Sequence, residues 1–353
     1  MNRTDIAHAL LERYYADADL LVDQGVASSD DVDVAMRLGA GYPAGPFETR
    51  GGRHSAVPDA PPRPDSPWSA VAVVGTGHMA SGIAEAVARA GEVVTVIGRG
   101  AASLDRSRAA IGANLDRSVG RGRLSIQDAA LVVDRIRFVT GLDALPDDTE
   151  VVIEAVTEDL AVKRSVLTQI DQRVGSAAVL ATNTSSYRVA DVMQDVSMQR
   201  RTLALHFFNP AAVMKLVEVV PGPASDSVAA TAADWVRSLG KSPVFSADAR
   251  GFIVNRLLIP YLNDAARLHD NGCSVDDIDA AMKGAPGLPM GPFALLDLIG
   301  LDVTVAALDS MAEAEPGDER LVPAAALIQL VAEGRLGRKS GAGFYSHGGT
   351  HAR

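Results

Sequence analysis

Ala70-Val71-Ala72-Val73-Val74-Gly75-Thr76-Gly77-His78-Met79-Ala80-Ser81-Gly82 decides the fold. Five apolar residues read as a buried strand. Glycines follow, and a helix from about 79 to 90 opens directly after them. Gly75 permits a tight turn, and Gly77 lets the backbone approach a pyrophosphate. The free N–H groups at the helix start supply donors and positive potential. Ala80 takes the place of the usual third glycine and is small enough for Gly82 and its neighbours to pack closely. A bare G-x-G-x-x-A is weak evidence. Its strand–turn–helix context and a second strand, Val93 to Ile97, make it a dinucleotide-binding turn.

The pattern continues outward. Further strand-like runs lie at 151–153, 178–181, 203–205 and 216–220, with helical stretches between most of them and the 206–215 link unassigned. Such alternation predicts an α/β Rossmann-type dinucleotide-binding domain over 69–249 with a mainly parallel sheet. Beyond 250 the spacing predicts helices over 251–271, 275–283, 292–309 and 321–333, an all-helical C-terminal domain spanning 250–346. The tail 347–353 is expected to fray. Upstream, residues 48–68 are rich in glycine and proline and read as a linker. Before it, amphipathic spacing predicts one helix over 5–24 and a shorter one over 30–37.

Those first helices repeat later ones. Tyr14, Asp17, Ala18, Leu21, Asp23 and Gly25 match Tyr261, Asp264, Ala265, Leu268, Asp270 and Gly272. After a one-residue shift, Asp31, Asp33, Ala35, Met36, Gly41, Pro43, Gly45, Pro46 and Phe47 match Asp277, Asp279, Ala281, Met282, Gly287, Pro289, Gly291, Pro292 and Phe293. Residues 1–47 are therefore a truncated copy of the helical domain's first half. A half-domain cannot easily bury its own apolar face, so it either docks on the helical domain of its own or a neighbouring chain or is a vestigial tail.

Composition bounds the function. A chain of 353 residues suggests two domains, and 47% hydrophobic residues are ample for a core. A formal charge of −11 disfavours nucleic acid and anionic membranes as partners. One cysteine, Cys273, excludes an intrachain disulfide and a cysteine-rich metal site, and a cytoplasmic location is expected. The end of the second strand bears on the cofactor. A carboxylate there would accept the ribose hydroxyls of NAD. Here stand Gly98-Arg99, which remove a repelling charge and offer a forked donor to a 2′-phosphate, so NADP is expected over NAD.

Further motifs resemble the 3-hydroxyacyl-CoA dehydrogenases, specifically the 3-hydroxybutyryl-CoA type. They are Val152 to Leu160 (VIEAVTEDL), Asn183 to Ser186 (NTSS), His206 to Pro210 (HFFNP), Met214 to Glu218 (MKLVE), Gly251 to Arg256 (GFIVNR), Pro289 to Phe293 (PMGPF) and Gly337 to Gly341 (GRKSG). The resemblance implies that His206 is the catalytic histidine and Glu218 its acidic partner, with Ser185 and Asn255 around the substrate's reacting oxygen. It implies Glu158, Lys163, Ser185, Asn209 and Lys339 near the cofactor, beside Gly75, Gly77, His78, Met79, Gly82 and Arg99 of the turn and second strand. Oxidising a secondary alcohol wants a base with pKa near neutrality, which suits a histidine steadied by a carboxylate. No step needs a metal. The implied substrate is an acyl-CoA or an acyl-carrier-protein thioester. The cluster Arg106, Arg108, Arg117, Arg121, Arg123, Arg135 and Arg137 could meet its phosphates. A homodimer through the helical domain is also implied. A relative acting on a sugar acid such as L-gulonate, or an idle nucleotide-binding scaffold, remain the alternatives.

Overall fold

The computed structural model describes residues 1–51, 64–223, 225–284 and 287–347. The chain forms two compact units, one ending at Ala249 and the other joining the N-terminal segment to the residues from Arg250 onward. Among the described residues no helix is long and apolar enough to cross a membrane.

The N-terminal segment forms α1 (Arg3–Asp23), α2 (Ser29–Gly39) and α3 (Pro46–Gly51). α1 is started by a capping box. The Asn2 side chain accepts from the Asp5 N–H while the Asp5 carboxylate accepts from the Asn2 N–H. Residues 48–51 were expected in the linker but are helical, because Asp33 accepts from the N–H groups of Phe47 and Glu48 and so caps α3. The other end of the expected linker also differs. Trp68 is buried against Trp235, with ring centroids 5.7 Å apart. Residues 52–63 and the tail beyond 347 lie outside the described residues.

The α/β unit runs β1 (Ala70–Val74), α4 (His78–Ala90), β2 (Val93–Gly98), α5 (Ala101–Gly120), α6 (Ile126–Asp134), β3 (Ile136–Thr140) and β4 (Val151–Glu154). It continues with α7 (Leu160–Asp171), β5 (Val179–Thr182), α8 (Val189–Val192), β6 (Thr202–Phe207), β7 (Leu216–Pro221), α9 (Asp226–Ser238) and β8 (Ser242–Phe245). The sheet order is β3-β2-β1-β4-β5-β6-β7-β8, and the first six of these strands are mutually parallel. The order reverses between β1 and β4, the switch point at which open α/β sheets bind ligands. β6 pairs antiparallel with β7, so the unassigned 206–215 link is a strand end and a loop with no helix. The apolar strands are buried on both faces, as a covered sheet requires.

The helical unit adds α10 (Val254–Asp270), α11 (Val275–Gly284), α12 (Pro292–Ile299), α13 (Leu301–Ala314) and α14 (Ala325–Ala332). The single helix expected over 292–309 is two, broken at Gly300, whose φ of 109° no helix accommodates. Residues 337–347 fold back onto α12. Asp297, 1% exposed, accepts from the N–H groups of Phe344 and Tyr345 and from His347 Nε2.

Candidate active site

Because β1, β4, β5 and β6 are parallel, the loops that follow them share one edge of the α/β unit. After β1, Gly75 has φ 136°, and a Cβ there would sit 2.4 Å from the Ala155 carbonyl oxygen. Only glycine fits. A Cβ on Gly77 would meet nothing within 4 Å, and no side chain caps the N-terminus of α4. The result is an open cradle of backbone N–H donors at a helix start, which suits a pyrophosphate. Gly82 faces Ala211, whose Cβ would lie 3.2 Å from an added Cβ. Met79 turns its side chain to the core, so only its backbone belongs to the cradle. His78 is exposed at the mouth of the turn.

At the end of β2 a Cβ on Gly98 would fall 2.7 Å from Leu104 Cδ2 and 2.8 Å from Thr76 Cγ2, so a side chain there requires those two side chains to move. Arg99 follows, exposed, with no ion pair among the described residues.

After β4 lies a buried ionic cluster. Lys163 of α7, 1% exposed, places its Nζ 3.1 Å from Glu154 Oε1 and 3.0 Å from Glu158 Oε2. Thr182 Oγ1 donates to Glu154 at 2.6 Å. Glu158 Oε1 accepts from Thr184 Oγ1 at 2.6 Å and from the N–H groups of Ser185 and Ser186 at 2.9 and 3.1 Å. Burial alone would raise the Glu158 carboxyl, but the Lys163 ammonium and these donors hold it below its ordinary range. Burial likewise lowers Lys163, and Glu154 and Glu158 more than reverse that. Lys163 thus reaches the edge through Glu158, which fixes the loop carrying Ser185. Glu154 and Thr182 escaped the sequence reading as site residues. The available signal was a carboxylate closing an otherwise apolar strand.

β6 and β7 supply the most specific geometry. His206 and Glu218 lie directly opposite in the antiparallel register, so their side chains share a face. His206 Nδ1 is 2.5 Å from Glu218 Oε2, with the two residues 5% and 0% exposed. Phe208 packs on the imidazole, its centroid 4.5 Å away. Asn183, also missed, accepts the Phe207 N–H at 2.9 Å and ties the end of β6 to the β5 loop. Asn209 is exposed just beyond. Asn255 stands in the first turn of α10 in the helical unit, half-buried. Lys339 belongs to that unit too, its Nζ 2.7 Å from Asp302 Oδ2.

Comparison with known proteins gives the family. The family described as "3-hydroxyacyl-CoA dehydrogenase, NAD binding domain" matches residues 70–249. Its companion, "3-hydroxyacyl-CoA dehydrogenase, C-terminal domain", matches two stretches, 6–51 and 251–347. A 3-hydroxybutyryl-CoA dehydrogenase of Mycobacterium tuberculosis is 41% identical over 281 residues, covering 78% of this chain and 98% of its own. A probable 3-hydroxyacyl-CoA dehydrogenase of Caenorhabditis elegans is 40% identical over 284 residues, covering 78% and 95%. The crystal structure of (S)-3-hydroxybutyryl-CoA dehydrogenase from Ralstonia eutropha superposes with a TM-score of 0.76 at 37% identity, covering 80% of this chain and all of that one. A Rossmann unit with an open phosphate cradle, a helical unit and a matching sequence lead to one conclusion: the chain belongs to the 3-hydroxyacyl-CoA dehydrogenase family of oxidoreductases.

Proposed function

We propose that the protein interconverts (S)-3-hydroxyacyl-CoA and 3-oxoacyl-CoA thioesters, using NADP(H) in preference to NAD(H). The 2.5 Å contact between His206 Nδ1 and Glu218 Oε2 carries the reading. With Nδ1 committed to the carboxylate, proton exchange with the substrate falls to Nε2. In the oxidative direction Nε2 takes the proton of the C3 hydroxyl as the C3–H bond breaks and the carbonyl forms. Glu218 stabilises the imidazolium that results and holds the ring in place. In the reductive direction His206 returns that proton to the developing alkoxide. Ser185 and Asn255 donate hydrogen bonds to the same oxygen. When bound, the nicotinamide supplies the hydride donor or acceptor. The residues that would hold its dinucleotide are Gly75, Gly77 and the α4 N-terminus, with His78, Arg99, Glu158, Asn209 and Lys339, and Lys163 would act through Glu158.

The absence of a carboxylate at position 98, which is Gly98, and the exposed guanidinium of Arg99 support the preference for NADP(H). A charge-assisted hydrogen bond of about 1.5–3 kcal/mol corresponds to roughly ten- to hundredfold in affinity. For the anionic coenzyme A, Arg106, Arg121, Arg123 and Arg137 are exposed and make no ion pair among the described residues. A single cysteine supports a reducing, cytoplasmic setting.

The test mixes the protein with acetoacetyl-CoA and either NADPH or NADH and follows absorbance of the reduced nicotinamide. Rapid loss with NADPH is expected. His206→Ala should abolish turnover and leave nucleotide binding intact. A flat trace with both nucleotides would sink the thioester reading, and an Arg99→Asp enzyme that still prefers NADPH would sink the cofactor assignment.

A further inference from the structure

The two copies of the helical segment face each other across one seam. Within each copy the same pairs pack: α1 with α3 as α10 with α12, and α2 with α3 as α11 with α12. Asp33 caps α3 through Phe47 and Glu48, as Asp279 caps α12 through Phe293 and Ala294. Gly45 and Gly291 leave room for those carboxylates, since a Cβ would fall 2.1 Å from Asp33 and 2.2 Å from Asp279. Between the copies the contacts are reciprocal. α1 packs on α11, α2 packs on α10, and α1 and α10 pack on each other. Tyr14 and Tyr261 hold equivalent positions and meet edge to face, with centroids 6.0 Å apart. Asp17 and Asp264, also equivalent, share Arg320, each 2.7 Å from the guanidinium. Element i meeting j while j meets i, with equivalent residues touching on the seam, is the signature of a two-fold interface. The buried side chains repeat as well: Ile6 with Ile253, Leu10 with Leu257, Tyr14 with Tyr261 and Ala18 with Ala265. A surface that accepts a copy of itself is self-complementary.

We propose that residues 3–51 take, within one chain, the place of a second copy's helical unit. The chain is then monomeric, and the face of α10 and α11 beneath α1 is a homotypic association surface kept covered. Two features favour the internal occupant over a second chain. Arg13 reaches Asp264 at 3.0 Å, whereas the equivalent position in the main copy is Pro260, which has no charge to offer. Attachment in the same chain also gives the segment an effective concentration in the millimolar range. The inference rests on packing alone and stands whatever the substrate is.

The test is sedimentation equilibrium of the full chain at micromolar concentration. The wild type is expected at the mass of one chain. Asp17→Arg sets like charges against Arg320 and Arg13 while leaving α10 and α11 unaltered, so it should double the mass. Tyr14→Asp, on the same helix, should do the same. Tyr261→Asp alters the shared face itself and should remain at one chain. A wild type of two chains, the homodimer implied by the sequence resemblance, would overturn the proposal. So would Asp17→Arg and Tyr14→Asp proteins that keep their helical circular dichroism and a one-chain mass.

Discussion

Two places in the molecule hold one cation between two carboxylates, and they differ in what surrounds them. In the α/β unit Lys163 lies between Glu154 and Glu158, and in the helical unit Arg320 lies between Asp17 and Asp264. The lysine side chain is 1% exposed, the arginine 32%. Glu158 has additional donors from Thr184, Ser185 and Ser186, and its carboxyl is held below the ordinary range. Asp17 goes the other way. Burial raises its carboxyl, the Arg320 guanidinium opposes this, and nearby Asp264 adds to the rise. At Glu158 the Lys163 charge and the added donors outweigh burial, whereas at Asp17 burial and the like charges of Asp264 and Asp318 outweigh the single guanidinium. The first cluster stiffens the edge where the candidate site lies. The second fastens two copies of a helical segment.

The largest expected effect breaks the buried cluster. Lys163→Met leaves Glu154 and Glu158 without their cation and should cost about 3–5 kcal/mol, read by chemical denaturation. Arg320→Met should cost less, about 1–3 kcal/mol, because its site is partly solvated and Asp264 keeps Arg13. Acid titration sharpens the contrast. The contribution of Glu158 is present above the ordinary glutamate pKa of about 4.3 and is lost as pH falls through its depressed value. Asp17, with a raised carboxyl, imposes a cost that is relieved as pH falls through its folded value toward about 3.9. Glu158→Gln should therefore flatten the acid fall in melting temperature, and Asp17→Asn should steepen it slightly. A Glu158→Gln protein with an unchanged acid limb would remove the comparison's basis. The smallest effect is beside Tyr14, whose ring centroid lies 6.0 Å from that of Tyr42. The buried Tyr42 hydroxyl has no hydrogen-bond partner among the described residues, so Tyr42→Phe should shift stability by less than about 1 kcal/mol, and upward.

Legibility followed burial. β1, β2 and β4 to β7 were readable because covered strands are continuous apolar runs. β3 and β8 were not. They are the two edges of the sheet, where Arg137 and Pro243 interrupt the apolar signal. In the candidate site His206, Glu218 and Ser185 stood out through motif resemblance, but Glu154, Thr182 and Asn183 did not, since a single polar residue next to a strand is ordinary. The motif resemblance sets Lys163 near the cofactor, and only the folded chain pairs its ammonium with Glu154 and Glu158.

The amino-acid order alone determined the phosphate turn, the alternation of strand and helix, and the duplicated segment, because glycine geometry, apolar runs and repeated residues are local properties. Tertiary structure decided which distant groups meet. His206 and Glu218 are 12 residues apart and touch because antiparallel pairing sets them opposite each other. Asp17 and Arg320 are 303 apart and touch because two copies of a helix bury their apolar stripes together. Such meetings depend on register and packing, which are properties of the folded chain as a whole.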